Sequence, residues 1–176
     1  MTVFWLLTGF VAAQRLLELA WSRRNAKWLR SHGAIEYGRE HYRYAILLHI
    51  SFLVCLCIEV LTLHRHPAAW WPAPFVLFVL AQALRYRAIV ALGPFWNTRV
   101  LVIPGSSVKR SGPYRIFRHP NYLAVAAEFL SIPLLFQAYL TLVIFSILNI
   151  LFLRIRIRIE DAALKANTDL RAVPGI

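Results

Sequence analysis

The chain has 176 residues, a formal net charge of +12 and a hydrophobic fraction of 59%. Its apolar residues are gathered in long runs, whereas an amphipathic helix of a soluble protein would space them along one face. This composition excludes an ordinary soluble domain and predicts an integral membrane protein. The positive charge does not indicate a nucleic-acid partner, because no soluble domain is left to present a basic groove and attraction to anionic lipid explains the same residues.

Five apolar segments are predicted to be membrane helices, since a spanning helix needs about 20 residues. They cover residues 2–21, 42–63, 69–92, 120–136 and 138–155. The first has no basic start and no small-residue cleavage site, which argues against a signal peptide. Breaks near Ser131 to Pro133 and at Gln137 predict that the last two form a short helical hairpin. The predicted fold is a single all-α membrane domain, with a loop over 93–119 and a final helix reaching about residue 167.

The basic residues predict the orientation, because Lys and Arg collect in cytoplasmic loops. Of the 20 Lys and Arg residues, 18 lie in groups that five crossings would place on one side: residues 23–43, residues 85–118, and residue 154 onward. Arg65 follows the second span, and Arg15 lies inside the first. We therefore expect the amino terminus outside the cell membrane, and the long loop and the carboxyl terminus in the cytoplasm.

Cys55 and Cys57 are the only cysteines in the sequence. They lie two residues apart in the second span and so on different sides of a helix, which makes a disulfide between them implausible. Neither belongs to a Cys/His spacing typical of a metal site, so both are interpreted as small apolar packing residues and no metal is predicted.

The loop over residues 93–119 differs sharply from the apolar runs around it. Its glycines and prolines interrupt regular structure, and the β-branched run from Val100 to Ile103 favours a short strand pair. Ordered loops of this length are usually functional. Its basic residues are explained equally well as anchors on the cytoplasmic membrane face: Lys109, Arg110, Arg115 and Arg118.

The block RHPNY, residues 118–122, predicts a ligand site at the start of the fourth span. Pro120 suits the first turn of a helix, where exposed amide groups favour an anion or a carboxylate. His119 and Tyr122 supply hydrogen-bonding side chains at the same helix end. The block therefore combines an electropositive backbone with polar side chains.

Ionisable residues inside membrane spans are rare and usually face a polar cavity or a partner. Glu128 shares a helical face with Asn121, so the polar face is expected to continue from the RHPNY block into the membrane. Arg15 and Glu18 are three residues apart and are expected to pair. Two groups in the second span could line a cavity but are more often structural: His49 and Glu59.

The segment from Asn149 to Asp161 reads NILFLRIRIRIED, and its alternating part taken alone would suggest a strand. A helix is preferred, because the apolar run that feeds it contains no breaker. A helix places Asn149, Arg156 and Glu160 on one face. The other side carries charges interpreted as an anchoring collar at the membrane interface: Arg154, Arg158 and Asp161.

The stretch SGPYRIFRHPNYLAVAAEF, followed by RIRIRIEDAAL, closely resembles the isoprenylcysteine carboxyl methyltransferase family. The amino-terminal stretch RLLELAWSRRNAKWLRSHGAIEYGREHYRYAILLH resembles the small bacterial branch of that family. The resemblance implies an enzyme that uses S-adenosylmethionine. Its cofactor would be held between the loop, the RHPNY block and the helix after the fifth span. The chain departs from the family near its end, where Leu170 stands at a position that is commonly aromatic.

Residue roles follow from the resemblance by position. Six residues match cofactor-contacting positions: Val108, Tyr114, His119, Pro120, Asn121 and Tyr122. Glu160 matches a cofactor-binding acid, and Arg156 matches an arginine beside the methyl-accepting group, so these two are the predicted catalytic residues. Asn149 and Glu128 are added to Arg156 as candidates for substrate binding.

The charges of the cofactor agree with these roles. Its sulfonium and ammonium groups favour a carboxylate such as Glu160, and its own carboxylate favours the amino-terminal end of a helix, here at Pro120. Arg156 is suited to hold an anionic acceptor oxygen in line with the methyl group, so that positioning supplies most of the rate.

The expected acceptor is lipophilic, either isoprenylcysteine-like or an alkylpyrone or alkylresorcinol lipid, and would enter from the bilayer while the cofactor arrives from the cytoplasm. A monomer suffices for this chemistry. Two other classes fit parts of the pattern: an NADPH-dependent reductase of the sterol and steroid type, which shares a similar RHPNY block, and a non-enzymatic membrane scaffold.

Overall fold

A computed structural model describes residues 1–168, so Leu170 and its departure from the family pattern lie outside the described residues. In chain order the elements are α1 (Thr2–Ser31), β1 (Ile35–Tyr37), α2 (Arg39–Thr62), α3 (Pro72–Leu92), β2 (Val100–Val102), α4 (Pro120–Leu135) and α5 (Tyr139–Asn167), with 3₁₀ turns at Gly93–Phe95 and Gly112–Arg115. Each predicted apolar segment is a helix, which confirms the mainly helical fold.

Within residues 1–168, four helices are long and apolar enough to cross a membrane: α1, α2, α3 with its following 3₁₀ turn, and α5. Large apolar side chains such as Leu6 and Val90 are exposed on their outer surfaces, as expected where lipid is the solvent. Helix α4 has 16 residues, which corresponds to roughly 24 Å against a hydrocarbon core of about 30 Å. The membrane-helix prediction is confirmed, and five complete crossings stay a prediction.

Helix α1 continues ten residues past the predicted end of the first span, to Ser31. Nothing between Trp21 and Ser31 breaks a helix, and the chain turns at Gly33, whose φ of 81° lies in the left-handed region that glycine adopts without strain. The buried side of the extension begins with two polar residues, Ser22 and Asn25, and continues with Ala26 and Leu29. Helix α1 therefore projects from the apolar bundle toward the long loop.

The tight turn predicted at Gln137 lies between α4 and α5, with Gln137 at a φ of 56°. The predicted break at Ser131 to Pro133 is wrong, because α4 runs through these residues to Leu135. Helix α5 is capped from another helix: Glu59 of α2 accepts hydrogen bonds from the backbone N–H groups of Leu140, at 3.1 Å, and Thr141, at 2.7 Å. A carboxylate at a helix amino terminus satisfies donors that have no partner within the helix.

Helix α5 is continuous from Tyr139 to Asn167, so the alternating RIRIRI section is helical as predicted. The second arm of the hairpin is therefore not short, because span five and the final helix form one helix of 29 residues. Arg156 is buried, whereas Arg154 and Arg158 on the other side are exposed. One helix thus connects the apolar bundle with the charged end of the molecule.

The β-branched run of the long loop forms strand β2, as predicted, but its partner lies elsewhere in the sequence. Strand β2 pairs antiparallel with β1, the short strand between α1 and α2, with Ile35 opposite Val102 and Tyr37 opposite Val100. Val100 and Val102 pack against Ala163 of α5. The two-stranded sheet therefore holds the loop against both the end of α1 and the end of α5.

The main apolar core takes buried side chains from all five helices, and an aromatic group at α2, α4 and α5 lies within it. Phe52 stacks on Phe129 with ring centroids 4.3 Å apart, and Phe145 meets Phe52 edge-on at 5.7 Å. Aromatic pairs in these geometries contribute beyond the area they bury. This core fixes the position of α4 relative to α5, and both helices carry predicted site residues.

Candidate functional site

A cleft of about 840 Å³ lies between the long loop, the start of α4 and the end of α5. This volume is within the range of small-molecule sites. Six of the seven residues predicted to contact the cofactor line its wall: Val108, Tyr114, His119, Asn121, Tyr122 and Glu160. Pro120, the seventh, is buried at the first position of α4. The structure therefore brings the sequence-predicted cofactor positions together around one cavity.

Two neighbouring acids at the end of α5 face the start of α4. Tyr122 donates its hydroxyl hydrogen to Glu160. The Nε2 atom of His119 lies 3.0 Å from Asp161, and Arg118 reaches the same carboxylate at 3.1 Å. Asp161 was predicted to belong to an anchoring collar, and that assignment is wrong because its partners are residues of the RHPNY block.

Arg156 lies one turn before Glu160 on α5 and is buried. Its Nε atom donates to the Tyr122 hydroxyl at 3.2 Å, and its terminal NH2 donates to the backbone carbonyl of Thr98. Tyr122 therefore links the predicted arginine and the predicted acid, since its oxygen accepts from Arg156 while its hydrogen goes to Glu160. The three side chains form one continuous chain of hydrogen bonds.

Tyr114, in the 3₁₀ turn Gly112–Arg115, lines the cleft on the loop side. Burial and the nearby charge of Glu160 raise the pKa of Tyr114 above its ordinary value. The phenol is therefore neutral throughout the physiological range and presents an aromatic face and a hydrogen-bond donor to the cleft.

Sequence reasoning missed the side of the cleft that contains Arg99. Arg99 reaches Glu36 of β1 at 2.6 Å and stacks over the ring of Tyr42 at 4.0 Å, and Arg30 reaches the other oxygen of Glu36 at 2.7 Å. Burial opposes the ionisation of Glu36, but the hydrogen bonds and charges of Arg99 and Arg30 outweigh it and lower the pKa of this carboxyl. This ion pair fastens the loop to the ends of α1 and α2.

The polar face of α1 was also missed. Asn25 donates to the backbone carbonyls of Gly93, at 3.1 Å, and Trp96, at 2.7 Å. Ser22, one turn earlier, contacts Asn97 and Thr98. The available signal was the spacing of Ser22 and Asn25, together with Glu18, on one helical face.

Glu128 does not line the cleft. It belongs to what we call the buried ion cluster, which is made of six side chains from α1, α3 and α4: Gln14, Arg15, Glu18, Gln82, Arg85 and Glu128. The predicted pairing of Arg15 with Glu18 is confirmed at 2.8 Å. Arg85 had been counted with the cytoplasmic basic residues, which is wrong, because it is 1% exposed and bonded to Glu128 inside the bundle.

Asn149 lies on the same face of α5 as Arg156, as predicted, and is 1% exposed. Its amide oxygen lacks a hydrogen-bond partner within residues 1–168. It is not among the residues that line the cleft. Throughout residues 1–168, no cluster of three His, Cys, Asp or Glu side chains is arranged to hold a metal ion.

The chain is similar to two bacterial proteins. It is 44% identical to the uncharacterized protein YpbQ of Bacillus subtilis (strain 168), over 93% of this chain and 97% of the relative. It is 26% identical to an uncharacterized protein of Haemophilus influenzae, over 88% of this chain and 90% of the relative. No solved structure gives a significant match. The family model for isoprenylcysteine carboxyl methyltransferases matches residues 74–166, so the chain belongs to this family of membrane methyltransferases.

Proposed function

We propose that this protein transfers a methyl group from S-adenosylmethionine to an oxygen atom of a lipophilic acceptor, either a carboxylate or a phenol or enol hydroxyl. The observation that carries the proposal is the grouping around one cleft of the positions predicted to contact the cofactor, with Glu160 on its wall. Membership of the family supports the methyl-transfer chemistry.

The residues of the cleft fit the charges of this cofactor. Glu160 is an acid with a side-chain exposure of 31%, so it is accessible to a cationic group. The amino terminus of α4 lies beside it, where backbone N–H groups favour a carboxylate. Tyr114 and Tyr122 add aromatic faces to the wall. When bound there, S-adenosylmethionine supplies an electrophilic methyl group on its sulfonium.

Arg156 is proposed to orient the acceptor. A guanidinium carries five N–H donors, and the contacts to Tyr122 and Thr98 fix its plane. A fixed guanidinium favours a carboxylate or an ionised hydroxyl at a defined angle. Glu160 accepts a hydrogen bond from the Tyr122 hydroxyl. The same chain of hydrogen bonds therefore fixes the position of Arg156, which would orient the acceptor, relative to Glu160, which would bind the cofactor.

The surface beside the cleft supports a lipophilic acceptor. Ile116 and Phe117 line the cleft and are 80% and 43% exposed. Large apolar side chains at the rim of a polar cavity suit a molecule with a polar head and an apolar tail. An isoprenylcysteine and an alkylpyrone or alkylresorcinol both have this form, and such a molecule would enter from the bilayer.

The proposed topology places the cleft in the cytoplasm of a multi-pass protein of the cell membrane, with the amino terminus outside. The charge distribution supports it, since basic residues line the cleft on the loop and others lie in the last part of α1. A monomer contains every residue that the proposal uses.

The test is calorimetric titration of the purified protein in detergent with S-adenosylhomocysteine, with NADPH as the control ligand. We expect saturable binding of S-adenosylhomocysteine alone. Binding of NADPH alone would overturn the proposal in favour of a reductase, and binding of neither would favour a scaffold. Radiolabelled methyl transfer to N-acetyl-S-farnesylcysteine and to an alkylresorcinol would then identify the acceptor class.

A further inference from the structure

Ser22 lies on α1, outside the residues matched by the family model, yet it contacts the segment that holds Arg156. It is 3% exposed. Its hydroxyl oxygen accepts a hydrogen bond from the backbone N–H of Thr98 at 3.0 Å and lies 2.7 Å from the Thr98 hydroxyl. Ser22 therefore holds Thr98 through both the backbone and the side chain of Thr98.

The same hydroxyl reaches Asn97. Ser22 Oγ lies 3.0 Å from Asn97 Oδ1, and Asn97 Nδ2 donates to the Ser22 carbonyl at 2.9 Å. Asn97 Oδ1 also accepts from the backbone N–H of Arg99 at 2.8 Å. Ser22 therefore fixes the Asn97 side chain, and that side chain fixes the N–H of Arg99.

The N–H of Arg99 and the carbonyl of Thr98 belong to one peptide group. A trans peptide is planar, and its N–H and C=O point in opposite directions. Holding the Arg99 N–H on Asn97 therefore sets the direction of the Thr98 carbonyl. That carbonyl accepts a hydrogen bond from Arg156.

We propose that Ser22 is a positioning residue for methyl transfer, which directs the Thr98 carbonyl and thereby holds the Arg156 guanidinium at the angle needed by the acceptor oxygen. This inference rests on the proposed function, in which Arg156 orients the acceptor. Ser22 acts through Thr98 and Asn97. Asn97 lines the cleft, but it is not one of the positions predicted to contact the cofactor, and no hydrogen bond within residues 1–168 joins Ser22 to Glu160. Its loss should therefore disturb the acceptor side and spare the cofactor side.

The experiment compares three variants in the full-length protein. Ser22→Ala removes the hydroxyl, Ser22→Thr retains it, and Ser31→Ala removes an exposed hydroxyl of the same helix that contacts only Trp28 and His32 among the described residues. S-adenosylhomocysteine affinity is measured by calorimetry. The accessibility of Arg156 is measured as its rate of modification by phenylglyoxal, with exposed Arg154 as the internal reference.

In Ser22→Ala we expect an unchanged affinity for S-adenosylhomocysteine and a modification rate at Arg156 that rises about two- to tenfold, the change that the net loss of one hydrogen bond produces. Ser22→Thr and Ser31→Ala should behave as the wild type. With whichever of the two acceptors the wild type methylates, kcat should fall in Ser22→Ala and recover in Ser22→Thr.

An unchanged modification rate at Arg156 in Ser22→Ala would overturn the positioning role, whatever the activity. A parallel loss of S-adenosylhomocysteine affinity would also overturn it, because Ser22 would then support the whole site. Failure of the wild-type protein to bind S-adenosylhomocysteine would instead overturn the proposed function, so the two failures are distinguishable.

Discussion

Helix α4 contacts two groups of charged side chains that differ in their access to solvent. Glu128 and Glu18 in the buried ion cluster have side-chain exposures of 4% and 8%. Glu160 and Asp161, which face the first turn of α4, have exposures of 31% and 24%. The sealed acids pair with groups of α1 and α3, whereas Glu160 of the open pair lines the cleft.

The two groups differ as a structural charge differs from a charge that is accessible to a ligand. A buried ion must be paired, because removing it from water costs several kcal/mol, and it then specifies how its helices pack. A partly exposed acid keeps some of its hydration and can exchange it for a cationic ligand. In the sequence, both groups are acids within or next to apolar helices. Only the three-dimensional surroundings show which group is buried and which is partly exposed.

The largest expected effect comes from breaking the sealed group. Arg85→Met leaves Glu128 with weaker compensation inside the bundle, which costs about 3–5 kcal/mol when one partner of a buried pair is removed. We expect a large loss of thermal stability in detergent. The double variant Arg85→Met, Glu128→Met should recover much of it, and absence of recovery would show that the pair is not what the cluster depends on.

The open group should respond in the opposite way. Glu160→Gln removes a charge from the cleft wall and should weaken S-adenosylhomocysteine binding by roughly 1–3 kcal/mol, while the unfolding temperature of the ligand-free protein stays close to the wild type. Calorimetric titration measures the first quantity and a thermal scan the second. Glu40→Gln, an exposed acid in the first turn of α2, is the matched control. Unchanged affinity in Glu160→Gln would remove this acid from the proposed site.

The cap of α5 tests a third use of a carboxylate. Glu59→Gln should destabilise the protein by about 1 kcal/mol, because the neutral amide accepts less strongly from the Leu140 and Thr141 N–H groups and loses its interaction with the helix dipole. Cofactor affinity should not change. A drop in affinity without a drop in stability would contradict a purely structural role.

The smallest expected effect is a pH dependence at Glu36. Its pKa is lowered in the folded protein, so it contributes stability above the unfolded value of about 4.3, and this contribution is lost as pH falls through the folded pKa. Glu36→Gln should be slightly less stable than the wild type at pH 7, and the difference should shrink toward acid. If the unfolding temperatures of Glu36→Gln and the wild type differed by the same amount at pH 7 and at acid pH, this assignment would be contradicted.

Much of the fold could be predicted from the sequence, because the length of an apolar run and the position of helix-breaking residues determine where a helix begins and ends. The absence of a breaker between Asn149 and Glu160 predicted a helix correctly despite the alternating pattern. The strand at Val100 was predicted from β-branched residues, but its partner was not, because Ile35–Tyr37 is short and lies before α2. Pairing between distant segments leaves no periodic signal.

The grouping of residues around the cleft could be predicted because most of them fall in recognisable motifs. Ser22 and Asn25 could be predicted only as part of a polar face of α1. Their partners on the loop could not, because the contacts join residues 68 to 76 positions apart and depend on where α1 ends. Arg85 was misplaced because counting charges near a span end does not reveal a partner on another helix. Asp161 was misplaced because a single helical face was assigned to α5, whereas the start of α4 contacts both Glu160 and Asp161.

Helix α5 fixes the distance between its capped amino-terminal end and the cleft. Thr141 is fixed by Glu59, and Glu160 meets Tyr122 on the same uninterrupted helix, about 28 Å further along its axis. One residue inserted between them would turn the Glu160 face by about 100°. An insertion of two turns, about seven residues, would restore the direction of the Glu160 side chain but would shift Glu160 about 10 Å along the helix axis. The length of this apolar run therefore sets both the depth and the phase of the acid at the cleft.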